Sequence, residues 1–255
     1  MKATLRRIAT FLRKPQNIIL ILLVISLAYL VVWPLVNIFQ DTFLVHPSEV
    51  SRVKQEAGSF TTYHWTKVFA DKDSYKTFVQ PLINSVLCAV LSCAIAILVG
   101  GLFAYLVIRT DMRGKKFCAS LFMLLYIMPA WTLAIAWTNF FKNQMVGGAM
   151  GLFEAVTGLS TPNWFAYGLF PVVVVTGLHY SPYAYILIGG ILRNMDSNLE
   201  EAAQILKASR ARIFWRVTIP LVRPAIMSTV LLVFASGLSV FSTAQFLGLP
   251  VGFHT

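Results

Sequence analysis

Five long apolar runs alternate with polar segments along the chain. They cover residues 18–39, 82–108, 117–140, 164–192 and 224–246. A helix needs about 20 apolar residues to cross a bilayer, so each run predicts one membrane span. The fold class that follows is all-α, a polytopic helical membrane protein. The segments between the runs are 1–17, 40–81, the basic turn 109–116, the Gly-rich 141–163, the polar 193–223 and the short end 247–255. In 40–81, HWTKVF at 64–69 has the pattern of a short amphipathic piece.

The polar stretch 193–223 has a pattern of its own. Ser197 and Glu200 have capping-box spacing, which predicts a helix start. Leu199, Ala202, Ala203 and Leu206 follow on one apolar face. Glu200 and Glu201 in the first turn and Lys207 near the last suit the helix dipole. Ser209 can cap a second short helix carrying Ile213, Phe214 and Val217. Pro220 is expected to end that helix, and Pro224 to sit in the first turn of the next. Two short amphipathic helices on a membrane surface are therefore expected.

Composition agrees with a membrane protein, being 57% hydrophobic and 12% charged. The first apolar run exceeds the usual 7–15 residues of a secretory signal, and no small-residue cleavage site follows it. Cys88, Cys93 and Cys118 lie in or beside apolar runs without metal-ligand spacing, which suits buried thiols. Net charge is +11. With the N-terminus inside, segments 1–17, 109–116 and 193–223 hold fifteen of the 21 Lys and Arg and four of the ten acids. The outer segments balance at six of each. The positive-inside rule favours that orientation. The charge is thereby assigned to topology and anionic lipid, and a nucleic-acid partner is not expected.

Candidate chemistry is sparse. No phosphate-binding GxxxxGK[ST] loop, HExxH or GxSxG is present, so a non-catalytic chain is expected, with no cofactor of its own. No carboxylate lies inside a span, which removes the usual residues of a proton-coupled secondary transporter. A membrane-embedded enzyme would need clustered polar groups that the pattern does not supply. His179, in HYSPYAY at 179–185, is the only ionisable side chain deep in a span. Two readings stand: a neutral imidazole hydrogen-bonded where Pro182 frees the carbonyl of Leu178, or, with Ser181 and Pro182, the lining of a translocation path. Metal ligation lacks a second ligand at suitable spacing.

Glu201-Ala202-Ala203, followed by Val217-Thr218-Ile219-Pro220, resembles the EAA loop of permease subunits of bacterial ATP-driven (ABC) importers of type I. The family pattern is Glu-Ala-Ala, three residues, Gly, nine residues, Ile-x-Leu-Pro. The spacing from Glu201 to Pro220 matches, with Lys207 in the Gly position. Gly there would permit positive φ, whereas Lys adopts it at a cost of roughly 1–2 kcal/mol. Either the turn shifts to Ala208-Ser209 or its geometry differs from the family's. MPAWTLAIAW around Pro129, Trp131 and Trp137, the 179–203 stretch and FSTAQFLGLPVGFHT at 241–255 resemble ferric-iron importer permeases. For the two tryptophans the competing physical reading is lipid-interface packing.

The resemblance implies a translocation subunit of the bacterial inner membrane, for ferric iron or, among relatives, polyamine, thiamine or phosphonate. Glu201, Ala202, Ala203, Lys207, Val217, Ile219 and Pro220 would form the contact with the ATPase. ATP and Mg would be held by partner ATPase subunits, and an extracytoplasmic binding protein would deliver the cargo. A second permease half or copy would complete the path, because one EAA loop meets one ATPase. The same likeness implies that 247–255 leads into a further helix.

Overall fold

A computed structural model describes residues 14–147, 149–196, 203 and 205–255. Among them secondary structure is helical, apart from one isolated antiparallel bridge, Leu44–Phe60. The chain divides into two units, 1–78 and 79–255.

The first unit is dominated by α1, Pro15–Asp41, with Pro15 at its first turn and no buried residue along its length. A helix this apolar with no buried residue suits a lipid environment. Beyond it, Phe60, Phe43, Trp65 and Phe69 stack in succession at 5.7–5.9 Å. Trp65 sits on α2, Tyr63–Phe69, and its indole donates to Thr42 at 3.2 Å. The amphipathic piece expected at 64–69 is thus a helix, held by aromatic stacking.

The second unit is built on two long helices, α3 (Gln80–Arg109) and α6 (Leu169–Asn194), packed along their length. Small residues let them approach. Ala89, Ser92, Cys93, Ala96, Gly100 and Ala104 recur every three to four positions on the buried face of α3. A Cβ on Gly100 would stand 2.1 Å from the carbonyl oxygen of Ser181, and one on Gly177 2.7 Å from Ile95. Close packing of this kind replaces the hydrophobic drive that lipid removes. Ser92 adds a bond across the pair, to the carbonyl of Val173 at 3.1 Å.

Three boundaries differ from those expected. The run 117–140 is not one straight span but α4 (Lys115–Ile127) and α5 (Ala130–Phe141), bent by 99° at Met128-Pro129. Met128 is extended at ψ 135°, as the residue before a proline prefers, and so cannot continue the helix. In 164–192 the α-helical backbone is interrupted at Tyr167 and Gly168, where Gly168 takes φ +93° and donates to the carbonyl of Leu247. In 224–246 the helix α7, Ile219–Leu238, stops eight residues early, and a separate α8, Ser242–Leu247, folds back against α5.

The expectation for Pro220 and Pro224 is also corrected. Pro220 does not end a helix and Pro224 does not begin one. Helix Arg210–Ile213 runs through a π-turn, Phe214–Thr218, directly into α7, with Pro224 inside it. The Ile219 N–H reaches back five residues to Phe214. A proline ring collides with the carbonyl four residues earlier in a regular helix; for Pro220 that residue is Arg216, inside the widened turn.

Among the described residues four stretches are long and apolar enough to cross a membrane: Pro15–Asp41, Tyr75–Arg109, Asn163–Asn194 and Arg210–Leu238. The bent α4–α5 pair makes a fifth if counted as one broken span.

Candidate functional site: a proline break and a polar loop

Two regions carry the polar features singled out above. The first is the break at Met128-Pro129. In an α-helix the carbonyl of Leu125 would accept from residue 129, but proline has no N–H. His179 of α6 supplies the missing donor, Nδ1 lying 2.8 Å from the Leu125 oxygen. A carbonyl only accepts, so Nδ1 carries the proton, and in the neutral imidazole Nε2 keeps its lone pair.

The next residue of α4, Tyr126, places its hydroxyl 2.6 Å from that of Tyr183. His179 and Tyr183 lie four apart on one face of α6, so two bonds on successive turns tie the end of α4 to α6. The carbonyl that Pro182 frees, Leu178, accepts from the hydroxyl of Ser181 at 2.7 Å. Ser181 therefore serves its own helix, and Pro182 is fully buried among neighbours.

The hydrogen-bond reading of His179 accordingly holds with a different partner. Its bond crosses to the Pro129 break rather than closing on its own helix. His179, Tyr126, Tyr180, Tyr183 and Ser236, with Pro129, line an open cavity of about 520 Å³. Tyr126, Tyr180, Tyr183 and Ser236 are residues that sequence reasoning missed. The Tyr-x-x-Tyr spacing of 180 and 183 was visible, but not the facing Tyr126. Among the described residues no group of three His, Cys, Asp or Glu side chains comes together. The three cysteines are free thiols, Cys88 and Cys93 buried and Cys118 partly so.

Trp137 packs within the protein. Its indole N–H donates to the carbonyl of Phe165 at 3.2 Å, and it packs against Phe141, Phe165 and Phe170. Trp131, about half exposed, remains on the surface.

The second region is the polar loop. Ser197, Leu199, Glu200, Glu201 and Ala202 lie outside the described residues, and with them the expected capping box. Downstream of them the turn falls on Lys207, which adopts φ +57°. The Ala208 N–H bonds the carbonyl of Ala203 at 3.1 Å. A six-to-one bond across a left-handed residue is the Schellman ending of a helix, and Lys207 occupies the place that usually holds Gly. The turn has therefore not shifted to Ala208-Ser209.

Ser209 then caps the next helix, its hydroxyl accepting from the Arg212 N–H at 3.3 Å. Val217 and Ile219 are half-buried and Pro220 is exposed. Ile205 and Leu206 are 81% and 83% exposed, and Trp215 67%. Where the loop leaves α6, Arg109 at the end of α3 donates to the carbonyl of Met195 at 3.3 Å.

The family described as binding-protein-dependent transport system inner membrane component matches residues 96–255. A putative ferric transport system permease protein, FbpB 1 of Haemophilus influenzae, is 33% identical over 91 residues, covering 36% of this chain and 14% of that protein. The maltose/maltodextrin permease protein MalF of Salmonella typhimurium is 28% identical over 188 residues, 72% of this chain and 36% of MalF. The chain thus spans little more than a third of these relatives' length at most. A crystal structure of a bacterial ABC transporter involved in importing the acidic polysaccharide alginate superposes with TM-score 0.67 at 16% identity, covering 92% of this chain and 77% of that one. The helical fold is therefore that of an ABC importer permease, and the family match across 96–255 settles the membership: this chain belongs to the binding-protein-dependent transport system inner membrane component family.

Proposed function

We propose that the chain is the translocation subunit of an ATP-driven importer whose cargo is ferric iron. The observation that carries the transport reading is the loop after α6. A helix end held by the Lys207 turn presents Ile205 and Leu206, with Trp215 on the following helix, as exposed apolar side chains on a strongly basic segment. Large apolar side chains grouped on a surface mark a protein or membrane contact. In this reading Glu201, Ala202 and Ala203 dock on an ATPase subunit, which holds ATP and Mg. Lys207, Val217, Ile219 and Pro220 form the turn and the rigid exit that carries its motion into α7. The loop and the N-terminus face the cytoplasm of a bacterial inner membrane, and a binding protein delivers cargo to the opposite face. A second permease half or copy supplies the other wall of the path. His179 belongs to the path, at the cavity beside the Pro129 break; Ser181 and Pro182, fully buried in α6, do not line that cavity.

The ferric cargo is supported by the likeness to ferric permeases. A maltodextrin cargo has its own support, because a maltose permease aligns over 72% of this chain against 36% and 55% for two ferric permeases. The deciding experiment is uptake by a deletion strain complemented with the gene. Radiolabelled ferric iron and maltodextrin are compared, with polyamine and phosphonate as further arms. Restored iron uptake alone supports the reading, restored sugar uptake alone replaces the cargo, and failure of an ATPase subunit to co-purify overturns the importer role.

A further inference from the structure

We infer that the phenols of Tyr126 and Tyr183, with the imidazole of His179, form a transient ligand set for the ferric ion at the α4–α5 break. The inference rests on the ferric reading above and names the site within it.

The geometry is already close to that of a chelate. The two phenol oxygens stand 2.6 Å apart. Adjacent donors around a small octahedral cation with bonds of about 2.0 Å sit roughly 2.8 Å apart. Little movement is needed to exchange the O–H···O bond for two oxygen–iron bonds, the phenolic protons leaving to water. His179 adds a nitrogen donor whose tautomer is set in advance. Its Nδ1 proton is committed to Leu125, so the lone pair resides on Nε2. Tyr180 and Ser236 bring further hydroxyls to the same wall. A cavity of about 520 Å³ has room for the ion with several waters, each taking about 30 Å³.

The charge of the set gives it selectivity. Among the described residues no carboxylate or amine lines the cavity. Empty, it is neutral, and so avoids the cost of several kcal/mol that a fixed charge in a span incurs. Neutral phenols are poor ligands for magnesium or calcium, which favour carboxylate and carbonyl oxygen. A trivalent iron is acidic enough to take phenolate, a recognised ligand for it. Donors that become anionic only under such a cation would hold it without trapping common divalent ions.

The test uses the purified permease in lipid nanodiscs, titrated with ferric nitrilotriacetate. The visible phenolate-to-iron charge-transfer absorption is the readout, alongside iron uptake by cells carrying the same variants. The band is expected in the unmodified protein and in Tyr105→Phe, whose phenol lies outside this cavity. It is expected to weaken and shift in Tyr126→Phe and in Tyr183→Phe, each of which removes one oxygen and leaves the ring packing, and to disappear when the two substitutions are combined. A band that survives the combined substitutions overturns the site. So does normal iron uptake by a protein that shows no band, and that result leaves the ferric cargo intact. A band without cellular iron uptake leaves the ligand set standing and sinks the cargo.

Discussion

His179 donates from Nδ1 to the carbonyl of Leu125, the group that Pro129 leaves without its helical partner. One proline creates an orphan acceptor, and a histidine 54 positions from that acceptor satisfies it. The bend of 99° between α4 and α5 is thus held open by a side chain rather than left to strain. Tyr126–Tyr183 adds a second tie one residue further along α4.

This pairing predicts a rescue. His179→Ala leaves a partly buried carbonyl without its partner and should cost about 1 kcal/mol. Pro129→Ala restores an N–H at the position that could serve Leu125. The double variant should therefore lose less stability than the two single losses added together, a coupling that thermal unfolding of the four proteins in detergent measures. Strict additivity would show that His179 and the break act independently.

Contact between α3 and α6 should tolerate nothing at Gly100. Gly100→Ala places a methyl 2.1 Å from the Ser181 oxygen and forces the backbones apart. Overpacking of this kind costs about 1–3 kcal/mol, and less folded protein should be recovered from the membrane. Gly190→Ala is the control, since nothing lies within 4 Å of its added Cβ. Fluorescence-detected gel filtration of both variants gives the comparison, and equal losses would remove the packing explanation.

Lys207 holds a left-handed backbone that glycine adopts freely. Lys207→Gly should strengthen the turn by about 1 kcal/mol, and Lys207→Val should weaken it by more. The Ala208 amide, bonded to Ala203, is the reporter. Its hydrogen exchange should slow in the Gly variant and quicken in the Val variant; the opposite order would mean that the turn does not set local stability.

Docking through the loop predicts two separable failures. Glu201→Lys reverses a charge in the EAA-like segment, and transport should be lost while the subunit stays in the membrane. Leu206→Ser removes an exposed apolar contact without touching the folded core, its side chain being 83% exposed. Its effect should be weaker recovery of the ATPase subunit on affinity purification. Full uptake with undiminished co-purification in both variants would end the coupling assignment.

Much of the architecture was legible in the chain itself. Apolar runs long enough to span a bilayer located α1, α3, α6 and α7, because the bilayer sets a length that composition alone reveals. Ser209 was legible as a cap because capping depends on residues three apart. The spacing of the EAA-like segment brought Lys207 to the turn position, but a lysine there left the turn open between 207 and Ala208-Ser209, and the backbone at φ +57° decided it. What the tertiary structure decided lay in long-range partners. Proline rules announce that the carbonyls of Leu125 and Leu178 lose a donor, but not which side chain replaces it. Ser181 does so from three residues away and His179 from across the fold. The same limit applies at Pro220. Local preference expects a helix end, and the folded chain instead widens one turn into π geometry and continues. Tyr126 and Tyr183 meet over 57 positions because α4 stops at Met128 and packs against α6. No periodicity along the sequence encodes that meeting, since it depends on where two separate helices end up in space.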